Sequence, residues 1–190
     1  MRVFLGIMVP EALWGAIAAL QGELGCGRAV AEEALHLTLV FLGDVEPPEL
    51  ELLHEELVGI SVAPVTLGLA GLDVLEGGDR TRALVLKLRP EPALEALQAK
   101  LAQAARRAGI DLERRRFRPH VTIARFNKGL TETQAARLGH LLESRGDVVL
   151  PEWRVTGFAL LRSHLTREGA EYEVLAEYPE RAEFTLGQAK

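Results

Sequence analysis

The sequence predicts an α+β fold with two similar lobes around a cleft. Short β-like runs alternate with amphipathic helical stretches, and no low-complexity linker separates them. A second observation is more specific. The pattern His-x-Thr-x, set in an otherwise apolar strand, occurs twice: His36 and Thr38 in "HLTLVFLG", and His120 and Thr122 in "FRPHVTIARF", 84 positions later (120 − 36). Each half reads as strand, helix, His-x-Thr strand, helix and further strands. Residues 1–190 are therefore expected to form one bilobal domain with pseudo-twofold symmetry, each lobe supplying one motif strand.

Residues 2–9 read as a buried first strand, and Pro10 suits the start of a helix over about 11–23. The apolar start could imitate a signal peptide, but Glu11 interrupts the run too early. "HLTLVFL" is a strand ended by Gly43-Asp44. "EPPELELLHEELVGI" opens with prolines and acids, then shows helical spacing at Leu50, Leu53 and Leu57. "PVTLGLAGLDVL" and "RALVLKLR" read as strands either side of a Gly77-Gly78-Asp79 turn. Pro92 opens a long helix that Gly109 closes near Ala108. "FRPHVTIARF" is the next strand. Thr131 and Gln134 form a capping box for a helix ending near Ser144. "WRVTGFALLRSHL" and "EYEVLAEY" then bracket "TREGA" as a closing hairpin.

Composition narrows the partners. A net charge of −5 argues against general polyanion binding, so any nucleic-acid contact is expected to be local. Cys26 is the only cysteine, which excludes an internal disulfide and a cysteine-based zinc site and fits a reducing cytoplasm. No run approaches about 18 consecutive apolar residues, so no membrane association is expected.

On an extended strand, residues two apart share a face. His36 and Thr38 project together while Leu37 and Leu39 face the core. His120 and Thr122 do the same above Val121 and Ile123. Two such strands facing one cleft offer two imidazoles and two hydroxyls. Displacement at phosphorus needs a base on the attacking side and an acid on the leaving side, and imidazole titrates in the range where one ring can serve each role. The threonine hydroxyls can donate to non-bridging phosphate oxygens. Either histidine alone would read as a packed or surface residue; the pair carries the chemistry. A zinc site lacks ligands, because neither motif supplies a second His, Cys or carboxylate at the usual spacing. His54 and His140 lie in polar helical stretches and are expected at the surface.

"ERRRFRPH" places Arg114, Arg115, Arg116 and Arg118 before His120. In a regular strand, Arg114, Arg116 and Arg118 would share its face. A cationic rim for RNA phosphates and a solvated turn balanced by Asp111 and Glu113 both fit this run. Arg125 has the wrong parity for the cleft, and a bulge or twisted strand end would be needed to swing it inward.

These residues resemble the RNA 2′,3′-cyclic phosphodiesterases, formerly called bacterial and archaeal 2′-5′ RNA ligases, of the two-histidine phosphoesterase superfamily. The resemblance runs from "MRVFLGI" through both motifs to "LLRSHLTREGAEYEVL", whose Ser163, Leu165, Gly169 and Tyr172 match a closing hairpin. It implies a bilobal two-histidine phosphoesterase fold and hydrolysis of a terminal 2′,3′-cyclic phosphate to a 2′-phosphomonoester, without metal or cofactor. By the same resemblance, His36 is the proton donor to the departing 3′ oxygen and His120 the proton acceptor that activates water. Thr38, Thr122 and Arg125 would bind phosphate. Phe4 matches an aromatic near the nucleotide, although a core strand residue fits its type equally well. Arg118 belongs to the candidate RNA rim. "RALVLKL" departs from the pattern, lacking an aromatic that relatives often carry there.

The implied partners are RNA with a 2′,3′-cyclic phosphate end, including tRNA fragments in tRNA processing, or small cyclic nucleotides. No obligatory protein partner is implied. Two other readings stay open: ATP-independent joining of such an end to a 5′-hydroxyl as a secondary ligase activity, and RNA-end binding without turnover.

Overall fold

The structure is a computed structural model that describes residues 1–77, 80–113, 116–126, 129–165 and 170–179. Gly78 and Asp79 of the expected turn, Arg114, Arg115, and residues 166–169 of the hairpin loop, including Gly169, lie outside these residues.

Among the described residues, seven strands form one antiparallel path in the order β10-β9-β1-β3-β7-β6-β5, and a two-residue strand β2 pairs beside β7. In chain order these are β1 (Arg2–Met8), β2 (Arg28–Ala29), β3 (His36–Asp44), β5 (Leu69–Glu76), β6 (Thr81–Leu88), β7 (His120–Arg125), β9 (Phe158–Leu165) and β10 (Ala170–Tyr178). β4 (Val65–Leu67) and β8 (Trp153–Val155) pair separately. The two motif strands meet at the middle of the sheet, paired through Leu37 and Val121. On one side β3 continues into β1, β9 and β10; on the other β7 continues into β6 and β5.

The helices form where caps and apolar spacing coincide. α3 (Pro92–Arg107) starts with Pro92 and a Glu91 carboxylate accepting from the Ala93 amide at 3.1 Å. It buries Leu94, Leu97, Leu101, Ala104 and Ala105, a stripe of helical period. α4 (Glu132–Arg145) carries the expected capping box: Thr131 Oγ1 accepts from the Gln134 amide, and Gln134 Oε1 accepts from the Thr131 amide. α1 (Trp14–Leu24) ends at Gly25 with φ +60°, and α2 (Pro47–Val58) begins at Pro47-Pro48. α1 lies against β7 and α4, while α3 lies against β3 and α2. Each helix that follows a first strand thus covers the motif strand of the other half, burying Leu37, Leu39, Val121 and Ile123 in one core. The opposite face of the two motif strands is left for the polar residues.

Several expected boundaries move. "PVTLGLAGLDVL" is not one strand: it breaks at Gly68 into β4 and β5, which join different sheets. "WRV" pairs with β4 instead of extending the closing hairpin. The break falls at Thr156-Gly157, where a side chain on Gly157 would run into the Tyr178 carbonyl. β7 begins at His120, so Arg116 and Arg118 are not held in register with it. His54 is also corrected: it is partly buried, with Nδ1 hydrogen-bonded to the Tyr178 hydroxyl at 2.7 Å.

Candidate active site

The motif strands present the same construction twice. Between β1 and β3 the register runs Leu5–Val40, then Gly6–Thr38, which makes Leu39 an extra residue. Between β6 and β7 it runs Leu84–Ala124, then Val85–Thr122, which makes Ile123 the extra residue. Each bulge therefore follows directly after the motif threonine. A bulge breaks the alternation of faces, and the burial follows: Leu39 and Val40 are both buried, as are Ile123 and Ala124. The next residues, Phe41 and Arg125, consequently return to the face of His36–Thr38 and His120–Thr122. The parity objection to Arg125 is removed by a bulge in its own strand.

The bulge in β7 is held from outside. The Ile123 carbonyl accepts from the Val30 amide at 3.0 Å and from Gln21 Nε2 at 2.9 Å. Gln21 Nε2 also donates to the Val30 carbonyl at 2.8 Å. One amide from α1 thus ties the short β2 segment to the distorted motif strand.

The two histidines are oriented alike. His36 Nδ1 lies 2.8 Å from the Ala34 carbonyl, and His120 Nδ1 lies 2.6 Å from the Arg118 carbonyl. A carbonyl can only accept, so each Nδ1 carries the proton and each Nε2 is left for the cleft. Arg118 therefore reaches the site through its backbone, and its side chain is exposed at the rim. Thr38 and Thr122 are half-buried on the same face.

His36 sits in an aromatic cradle: Phe4 lies 4.7 Å from its ring centroid and Tyr172 4.6 Å, with Phe4 and Tyr172 edge to face at 5.2 Å. Phe4 is 3 % exposed and packs with Ala159 and Leu161, so it forms the wall behind the histidine, with little open face for a base. The His36 pKa is lowered from 6.5 to about 4, chiefly by burial; the Ala34 hydrogen bond opposes the shift, and the nearby Arg125 and His120 charges add smaller contributions to it. Those two charge effects also place Arg125 and His120 within electrostatic reach of His36 across the cleft.

Three residues of this site are not found by reading the motifs alone. Tyr172 reaches His36 because it pairs with Ser163 across β9–β10. Gln21 acts on the bulge from a helix about 100 residues distant in sequence. Phe41 is the third. It is 46 % exposed, faces the cleft, and lies beneath the Arg2 guanidinium at 5.1 Å. Aligning His-x-Thr-x-x-Phe with His-x-Thr-x-x-Arg reveals it as the counterpart of Arg125. Among the described residues, no three His, Cys, Asp or Glu side chains are grouped to hold a metal ion. No helix among them is long and apolar enough to cross a membrane.

Residues 9–167 match the model of the 2′-5′ RNA ligase superfamily. The chain belongs to this superfamily. The RNA 2′,3′-cyclic phosphodiesterase of Geobacillus stearothermophilus is 34 % identical over 154 residues, which span 79 % of this chain and 46 % of that protein. The chain thus covers about half the length of this relative. The protein of the same name from Thermus thermophilus is 32 % identical, and the match covers 100 % of this chain and 96 % of that one. Among solved structures, Escherichia coli LigT complexed with 3′-AMP superposes with a TM-score of 0.70 at 25 % identity, over 93 % of this chain and 95 % of that chain. The α+β two-histidine phosphoesterase fold implied by the resemblance is the fold observed.

Proposed function

We propose that this chain hydrolyses the terminal 2′,3′-cyclic phosphodiester of RNA to a 2′-phosphomonoester, by acid–base catalysis between His36 and His120 and without a metal. The observation that carries this reading is the doubled arrangement: two imidazoles with Nδ1 tied to backbone and Nε2 free, each beside a threonine, on one face. The cyclic phosphodiesterase names of the full-length relatives support the substrate class.

In this mechanism His120 Nε2 takes a proton from water as its oxygen bonds to phosphorus. The bond from phosphorus to O3′ breaks, and His36 Nε2–H delivers a proton to that oxygen. The Thr38 and Thr122 hydroxyls donate to the non-bridging oxygens, and the Arg125 fork neutralises the charge that grows there. Phe41 offers an exposed aromatic face to the base, a role in which Arg2 keeps the ring oriented.

The depressed His36 pKa bears on the assignment of roles. With the site empty, His36 is neutral at pH 7. A bound phosphodiester brings a negative charge that favours the protonated ring directly and offsets Arg125, which raises the proton affinity of His36 against the larger effect of burial. The neutral ring favours one other reading, in which His36 is the base and His120 the acid. For the same substrate orientation, that exchange reverses the line of attack and releases the 2′ oxygen.

Incubation with a nucleoside 2′,3′-cyclic phosphate, with the 2′ and 3′ monophosphates resolved, separates these readings. The expected result is the 2′ product at a rate unchanged by EDTA. The 3′ product alone would reverse the roles. No turnover of nucleoside or oligonucleotide cyclic phosphates would overturn the proposal.

A further inference from the structure

β2 places a second arginine beside the first. Arg28 is the direct partner of Arg125, and Ala29 of Ala124, in the antiparallel pairing of β2 with β7. Directly opposed residues of an antiparallel pair project to the same face, about 5 Å apart at the backbone. The chain enters this segment through Gly27, with φ +75°, where a side chain would meet the Phe126 ring at 2.6 Å. Glycine thus allows β2 to press onto the end of β7, and the Gln21 and Ile123 hydrogen bonds fix it there. Arg28 and Arg125 both line a cavity of about 480 Å³ whose other walls include Phe126, Leu130, Thr131 and Gln134.

Like charges directly opposed across a ladder are destabilising, and arginine cannot shed its proton. Neither guanidinium is hydrogen-bonded or ion-paired to a described residue, although four other arginines have glutamate partners. The chain as a whole is acidic, so this pair is a local feature and not part of a general basic surface. An anion between or beside the two guanidiniums would remove the repulsion.

We infer that Arg28 and its cavity form a second phosphate subsite, which takes the 5′ phosphate of the nucleotide carrying the cyclic end. This rests on the reading of Arg125 as a ligand of the cyclic phosphate. Arg28 then stands one strand spacing from Arg125, the ligand of the reacting phosphate in that reading. It selects nucleotides that are 5′-phosphorylated or joined to further RNA over free nucleosides.

The test compares a nucleoside 2′,3′-cyclic phosphate with its 5′-phosphorylated form, using wild type, Arg28→Ala and Arg28→Lys. The wild type is expected to prefer the 5′-phosphorylated substrate by about tenfold or more in kcat/KM. Arg28→Ala reduces that ratio to about one, mainly through KM, and Arg28→Lys keeps part of it. An unchanged ratio in Arg28→Ala would overturn the subsite. An equal loss on both substrates would also overturn it, by showing that Arg28 merely props Arg125. Calorimetric binding of a nucleoside 2′,5′-bisphosphate against the 2′-monophosphate reads the subsite without turnover. If neither cyclic substrate is opened, the proposed activity fails, while an Arg28-dependent advantage of the bisphosphate in binding would still uphold the subsite.

Discussion

Protonation of His36 should appear as a loss of stability on mild acidification. The perturbation is a pH titration of wild type beside His36→Asn, whose side-chain amide can still donate to the Ala34 carbonyl. In the folded chain the His36 pKa lies at about 4, against 6.5 when solvated. Between these values the unfolded chain binds a proton that the folded chain refuses, so stability falls as the pH drops. Above pH 6.5 both states are neutral and the contribution is flat; below 4 it is flat again. The linkage relation gives a loss of about 2 kcal/mol by pH 5 and about 3 kcal/mol by pH 4. Urea unfolding at pH 7, 6, 5 and 4 measures both proteins, and their remaining titrating groups cancel in the difference. The wild type should lose that much more than His36→Asn. Parallel curves, or a greater loss in the variant, would refute a buried neutral His36.

Three further outcomes follow from the site. Gln21→Ala removes the donor that ties Ile123 to Val30; it should destabilise the fold by about 1–3 kcal/mol in urea unfolding and lower kcat more than it raises KM, because Arg125 loses its aim. Phe41→Ala should raise KM for a nucleoside cyclic phosphate about tenfold, and Phe41→Tyr should restore it, as steady-state kinetics on both variants will show. Arg125→Lys keeps the charge but loses the bidentate fork, so kcat/KM should fall at least tenfold on every cyclic substrate.

Much of this site was legible because its geometry is periodic. A two-residue repeat fixes which face His36–Thr38 and His120–Thr122 share, and the capping box at Thr131 fixes where α4 begins. Arg125 marks the limit of that reasoning. Ideal alternation turns it away, and only the extra residue Ile123 returns it to the cleft. The hint is visible in retrospect as two consecutive apolar residues after each threonine, Leu39-Val40 and Ile123-Ala124, where alternation calls for one. Phe4 and Phe41 illustrate a second limit. Both are aromatic residues in strands, and their fates differ because Phe4 is enclosed by Ala159 and Leu161 of β9, a tertiary neighbour that local sequence does not reveal. The same holds for Arg28, whose relation to Arg125 exists only through strand pairing. Gly68 and Gly157 split apparent strands where the chain passes close to other parts of the fold, again a non-local cause.

The central claim is that two histidines act as one acid–base device around one phosphorus. Its most direct test is the turnover of a single nucleoside 2′,3′-cyclic phosphate by His36→Ala, His120→Ala and the double variant. Each single variant should lose about 100-fold or more in kcat, and the double variant should be little worse than the poorer single one, since either histidine alone cannot complete the transfer. Full activity in either single variant, on a substrate the wild type clearly opens, would contradict the account.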